Sequence, residues 1–211
     1  MEHSRSSPVR FTLALDVAER AALAVFFGAM AWSFLRSWQD TGSIVSLLLL
    51  ISEGSVVAFV LIRRFTQDVS MRPADWLVAL LGTTAPLLVR PIADAALAPA
   101  FVCVPLVLAG LTLQIAAKLT LCRSFGVVAA NRGVQVGGPY RVVRHPMYAG
   151  YFMMQVAFLL TNPSVWNASV YLVGFAAQIS RILAEERVLG RDPSYQAFAT
   201  AVRYRLAPGI F

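Results

Sequence analysis

Two short stretches of this chain gather residue types that can bind charge and orient a ligand. The first runs Gly137-Gly138-Pro139-Tyr140-Arg141-Val142-Val143-Arg144-His145-Pro146-Met147-Tyr148-Ala149-Gly150. Its paired glycines and prolines impose a non-helical entry, and Pro146 is a favoured first-turn residue, so a helix is expected to start there. His145 then falls at the helix N-terminus, where free N–H groups and the macrodipole favour an anion, and Arg144 adds a fixed cation. The second stretch is Arg181 followed by Glu185-Glu186. The four-residue spacing stacks Arg181 and Glu185 on one helical face. Taken separately, the first stretch reads equally well as an interfacial anchor, and the second as a salt bridge at a helix end. Taken together, Arg, His, Tyr and Glu at the ends of paired helices suit a ligand carrying both charge signs.

The elements that must position these residues are apolar. The 211 residues are 58% hydrophobic and only 14% charged, against about 25% charged in an ordinary soluble chain. Five stretches approach the roughly 20 apolar residues that cross a bilayer: Ala21–Leu35, Thr41–Ile62, Trp76–Val89, Ala95–Ala117 and Pro146–Ser180. The last is too long for one crossing, and Asn162-Pro163 is a turn signal that divides it into Pro146–Thr161 and Ser164–Ser180. The expected fold is therefore all-α, a polytopic membrane bundle of six transmembrane helices, or five if that hairpin is re-entrant. With six crossings and both termini inside, sixteen of the eighteen basic residues lie on the cytoplasmic side, leaving Arg36 and Arg90 outside. That split satisfies the positive-inside rule. It also explains the net charge of +7 through lipid head groups, with no call on nucleic acid. The location this implies is a multi-pass membrane protein with its polar site cytoplasmic. All basic residues but Lys118 are Arg, a habit of GC-rich bacterial genomes, which suggests a bacterial inner membrane. Residues 1–117 read as four mostly lipid-facing helices. Residues 118–211 read as the catalytic region: a cytoplasmic loop, a helix hairpin and a tail.

Other chemistries find little support. Cys103 and Cys122 stand apart, and His3 and His145 are the only histidines, so neither a disulfide framework nor a metal site is expected. Glu53 interrupts an apolar stretch and is expected to be protonated or bonded between helices. Arg90 and Asp94 are expected to pair at the outer boundary. The sequon at Asn167 lies too close to a membrane helix to serve as an acceptor.

Arg144–Gly150, reading R-H-P-M-Y-A-G, with Arg181–Glu186, reading R-x-x-x-E-E, resembles the isoprenylcysteine carboxyl methyltransferase family, itself related to the membrane phospholipid N-methyltransferases. The similarity runs from about Gly110 to Phe211, through Tyr195 and the tail Arg203–Gly209. The resemblance implies a pocket for S-adenosylmethionine formed by His145, Pro146, Met147 and Tyr148, with Tyr140 and the stretch Arg132, Gly133, Val134 and Gln135. It also implies Glu185, with Glu186 beside it, as a cofactor ligand, and Arg181 facing the methyl acceptor. Arg144 joins the catalytic set, and Gly110 and Gln114 lie on a helix behind the pocket. The cofactor's carboxylate would suit His145 and the helix N-terminus, and its cationic groups Glu185 and the tyrosine faces.

A permanent bidentate cation at Arg181 suits a carboxylate better than an amine. The expected reaction is carboxyl O-methylation of a lipophilic, isoprenylcysteine-like acceptor drawn from the bilayer. The alternatives are phospholipid amine N-methylation and small-thiol S-methylation. The amine enzymes lack an Arg four residues before their Glu pair and carry G-x-G where this chain reads Ala109-Gly110-Leu111. The tail departs from the family at Phe198, where a second Tyr is common, and at Val202-Arg203, which bears on substrate more than on cofactor. An NADPH-dependent sterol reductase is a weaker reading, since those enzymes are longer. So is a transporter subunit or sensor, since Glu53 is almost the only intramembrane charge.

Overall fold

The computed structural model describes residues 6–42, 44–92 and 96–210, with side chains from 11–42, 46–92 and 96–210. Seven α-helices follow one another among these residues: α1 (Ser6–Thr41), α2 (Ile44–Ile62), α3 (Pro73–Thr84), α4 (Ala100–Leu121), α5 (Pro146–Thr161), α6 (Val165–Leu189) and α7 (Pro193–Ala201). The described backbone contains no strand, only an isolated antiparallel bridge between Val69 and Ala130. The all-α expectation is met. One described helix, Ala100–Ser124, is by itself long and apolar enough to cross a membrane, with a mean hydropathy of 2.1. Ser46–Ile62 and Pro73–Leu88 are apolar but shorter.

Local sequence explains most boundaries. Pro73 opens α3 from the first turn, and Pro86, which lacks an N–H, coincides with the change to a 3₁₀ turn at Ala85–Leu88. Ser164 caps α6 by accepting from the Asn167 N–H at 3.0 Å. The Asn162-Pro163 turn joins α5 to α6 as expected, and Asn162 Oδ1 accepts from the Ile92 N–H at 2.9 Å. Asn167, fully buried, spans the Arg90 backbone, accepting from its N–H and donating to its carbonyl, both at 2.9 Å. The sequon is thus occupied by structure. Arg90 lies 4.9 Å over the Trp166 ring, and its expected partner Asp94 lies outside the described residues. α6 continues past the apolar run to Leu189, carrying Arg181, Glu185 and Glu186 on one unbroken helix.

Polar groups turn inward. Lys118, read from the sequence as the start of the cytoplasmic region, sits inside α4 with no exposure. Its ammonium donates to Ser52 Oγ at 2.7 Å and pairs with Glu53 at 3.2 Å. Glu53 is therefore the interhelically bonded carboxylate expected of it, and Lys118 is the reason. Meanwhile Val25, Leu61, Leu80, Leu88, Phe101 and Leu172 stand exposed on the outer faces.

The most extensive helix pair, α4 with α5, positions the first motif. It depends on Gly110 and Gly150, which meet backbone to backbone as small residues do where membrane helices cross closely. A Cβ on Gly150 would stand 2.6 Å from the Gly110 carbonyl oxygen and 3.2 Å from the Gln114 nitrogen. Backbone cannot yield there as a side-chain tip can. Gly150→Ala is expected to destabilise the protein by about 1–3 kcal/mol, the range of core overpacking, read as a lower melting temperature in detergent. The same change at Gly28, which has nothing within 4 Å, is the matched control.

Candidate active site

The segment between α4 and α5 wraps the polar end of the bundle and ends in a 3₁₀ turn at Gly138–Arg141. His145 caps α5 as the residue before Pro146. Its N–H donates to the Arg205 carbonyl at 2.8 Å, and the Arg144 N–H to that of Tyr204 at 2.9 Å. The C-terminal tail thus straps the first motif in place.

The two motifs meet. His145 Nε2 lies 3.2 Å from Glu186 Oε1, and Nδ1 lies 3.7 Å from Glu185 Oε2. The Tyr148 hydroxyl donates to Glu185. Glu186 is a hub. Besides His145, it accepts from Arg205 Nε at 2.8 Å and the Tyr195 hydroxyl at 3.3 Å, and it forms an ion pair with Arg144 Nη1 at 3.1 Å. Burial alone would raise its pKa, but hydrogen bonds from His145 and Arg205, with the charges of His145 and Arg144, pull it down to about 2. A depressed carboxylate stabilises the fold above its ordinary value of 4.5, and that contribution disappears as pH falls toward about 2. Melting temperature followed from pH 6 downward is expected to drop across this window. Glu186→Gln should start lower at pH 6 and lose less between those values.

These residues border a cavity of about 730 Å³, counted with its open mouth. Of the expected residues, Arg132, Gly133, Val134, Gln135, Tyr140, Arg144, His145, Met147, Tyr148 and Glu185 line it. Burial, with the charge of Glu185 behind it, raises the Tyr140 phenol and keeps it neutral. Pro146 is buried at the start of α5, and Glu186 lies behind Glu185; neither borders the cavity. Ser124, Gly126, Tyr195 and Phe198 complete the wall.

Arg181 and Gln114 face elsewhere. They line a second, larger cavity of about 1570 Å³, likewise counted with its open mouth, bordered mainly by apolar side chains from α1 to α6, such as Phe26, Leu87, Val107 and Phe158. The Arg181 guanidinium stacks 5.3 Å over the Tyr148 ring and donates from Nη2 to the Val127 carbonyl at 3.0 Å. Its Nε is buried without a partner. No ion pair joins Arg181 to Glu185 among the described residues. Gln114 donates to Met154 Sδ at 2.7 Å. Met147 borders both cavities, so it stands between a polar, aromatic chamber and an apolar one. No group of His, Cys, Asp or Glu among the described residues is arranged to hold a metal.

Residues 99–192 match the family model of the phospholipid methyltransferases, the family of the isoprenylcysteine carboxyl methyltransferase-like membrane methyltransferases. No curated protein matches the chain. The matched segment spans α4 to the end of α6, so it contains both motifs and the wall between the cavities, and leaves α1 to α3 outside.

Proposed function

We propose that this chain, a membrane methyltransferase by its family match over residues 99–192, uses S-adenosylmethionine to methylate the carboxylate of a lipophilic acceptor. The observation that carries the reading is the pair of chambers meeting at Met147. One offers the Glu185 carboxylate and tyrosine faces, which suit a sulfonium and an ammonium. The other offers an apolar body with a buried guanidinium at the shared wall, which suits a long-chain acid.

The bound cofactor supplies an electrophilic methyl group. Transfer to an acceptor oxygen would form the new carbon–oxygen bond as the carbon–sulfur bond breaks, leaving the electron pair on sulfur. A carboxylate acceptor has no proton to lose, so the site needs no general base. What the residues do is hold and exclude: Glu185 and Tyr148 fix the cationic end, Arg181 turns the acceptor's anion toward it, and apolar walls keep water out. Positioning of this kind can be worth about 7–11 kcal/mol.

The reading includes a multi-pass topology with the polar chamber at the cytoplasmic face. Support comes from the inverted surface, with exposed leucines, valines and phenylalanines outside and Lys118, Gln114, Asn167 and Arg181 buried within. The helices shorter than a full crossing, α3 (Pro73–Thr84) and α5 (Pro146–Thr161) among them, are accommodated by local bilayer thinning and snorkelling of flanking side chains.

Membranes containing the protein and labelled with methyl-radioactive S-adenosylmethionine test the reaction. Label in the lipid extract that alkali releases as methanol is expected. Alkali-stable label in the phospholipids would establish amine N-methylation instead, and volatile label without alkali would point to a small thiol.

A further inference from the structure

The apolar chamber is not apolar throughout. Among the described residues, Glu53 and Arg181 are the charged side chains that border it. Arg181 comes from α6 inside the matched segment, and Glu53 from α2 outside it. Glu53 is held at one oxygen only. Its Oε1 accepts from Ser52 Oγ at 2.8 Å and from the Lys118 ammonium at 3.2 Å. Lys118 is fully buried and fixed in turn, donating to Ser52 Oγ at 2.7 Å and to the Ser52 carbonyl at 3.2 Å. Glu53 Oε2 accepts from no group among the described residues. Unlike Arg181 Nε it is not sealed, and the Glu53 side chain keeps 11% of its surface accessible.

A run of aromatic contacts links this carboxylate to the guanidinium. Arg181 lies 5.3 Å over the Tyr148 ring, and that ring lies 6.4 Å from the Tyr151 ring. The Lys118 ammonium stands 5.9 Å from the Tyr151 centroid. The charges of Glu53, Lys118 and Arg181 all act on the Tyr151 phenol, whose residue itself borders the chamber.

Charge selects what can meet Oε2. Lys118 cancels Glu53, so Arg181 leaves the chamber with one positive charge, which an acceptor carboxylate balances. A cation added on the acceptor would leave a net charge in apolar surroundings, at high cost. A neutral N–H or O–H adds no charge and satisfies a carboxylate oxygen that otherwise faces apolar walls. The nearby amide of Gln114 does not supply that donor, since its Nε2 is committed to Met154 Sδ at 2.7 Å.

We propose that Glu53 sets the acceptor specificity of this chamber, its Oε2 accepting a hydrogen bond from an N–H or O–H of the substrate. The preferred substrates are then lipophilic acids that carry a neutral hydrogen-bond donor, not plain alkyl acids. The proposal rests on the carboxylate reading of the acceptor. Ser52 and Lys118 are positioning residues; Glu53 is the one that touches the substrate.

Matched S-prenylated acids isolate the contact. One pair is an N-acylated S-prenylcysteine and the same compound methylated on its amide nitrogen. The other replaces the amide by a hydroxyl or its methyl ether, and the bare acid without either group is the reference. In at least one pair, wild type should favour the donor-bearing acid in kcat/KM by about 10- to 100-fold over both its methylated form and the bare acid. That is the worth of one hydrogen bond to a charged group, and the pair that shows it identifies the donor. Glu53→Leu with Lys118→Met, which removes the buried pair together, should bring the acids within about threefold of one another. Its affinity for S-adenosylhomocysteine should stay within about threefold of wild type. Glu53→Gln, which keeps a carbonyl oxygen, should retain part of the preference. Equal rates within both pairs in wild type overturn the proposal, and so does a bare acid as fast as the donor-bearing ones. Neither measurement needs a variant that folds. A uniform loss of rate in the double variant with the preference intact makes Glu53 structural and overturns it as well. Failure of wild type to methylate any of the acids would instead sink the carboxylate reading on which the proposal stands.

Discussion

Glu185→Gln is expected to weaken S-adenosylhomocysteine binding and to reduce methyl transfer from S-adenosylmethionine by about 30- to 1000-fold, with little change in melting temperature. Glu185 is the carboxylate of the pair that borders the polar chamber, and it is the less committed of the two. Its oxygens meet the Tyr148 hydroxyl and, at 3.7 Å, His145 Nδ1. Glu186 is saturated by Arg144, His145, Tyr195 and Arg205. A side chain of the same shape without the charge should therefore spare the fold while removing the partner of a desolvated cation, a loss worth about 2–4 kcal/mol. Calorimetry reads the affinity and a thermal melt reads the fold. Unchanged affinity in a folded variant would remove Glu185 from the cofactor site.

The contrast between these neighbouring acids marks how far the sequence could be read. Local signals carried far: Pro146 opening α5, Asn162-Pro163 turning the chain, and the i,i+4 placement of Arg181 and Glu185 on α6 are all present as expected. The meeting of His145 with the acid pair was also legible, because both lie at the polar ends of consecutive antiparallel helices. What is set by partners distant in sequence was not. Arg63 read as cytoplasmic surface charge, and the resemblance gave Arg132 only a place beside the pocket, yet both are buried against Asp16 and Glu19, more than forty residues away. The one-turn spacing of Asp16, Glu19 and Arg20 just before the apolar run was the available signal. The division at residue 117 misjudged Lys118 for the same reason: nothing local reveals that Ser52 and Glu53 wait for it across α2 and α4. Nor could spacing show that Arg181 and Glu185, though on one face, open into different chambers.

That separation makes Arg181 the position where acceptor and cofactor can be told apart. Arg181 borders the apolar chamber and not the polar one, and its guanidinium is fixed by Tyr148 and the Val127 carbonyl, over Gly82, where an added Cβ would stand 3.2 Å from Arg181 Cδ. Arg181→Leu is expected to leave S-adenosylhomocysteine affinity within about threefold. It should lower kcat/KM for an S-prenylcysteine acid by about 30- to 3000-fold, corresponding to about 2–5 kcal/mol for a buried charge partner lost. Arg181→Lys should recover part of the rate, because the charge returns without the planar fork that meets a carboxylate bidentately. An amine acceptor reverses the sign: a buried cation beside it opposes the charge that develops on nitrogen as the methyl arrives, so removing Arg181 would raise the rate or leave it unchanged. Kinetics with both acceptor classes on these two variants therefore decides the chemistry of the apolar chamber independently of the cofactor. Faster methylation of an amine lipid by Arg181→Leu would overturn the carboxylate assignment.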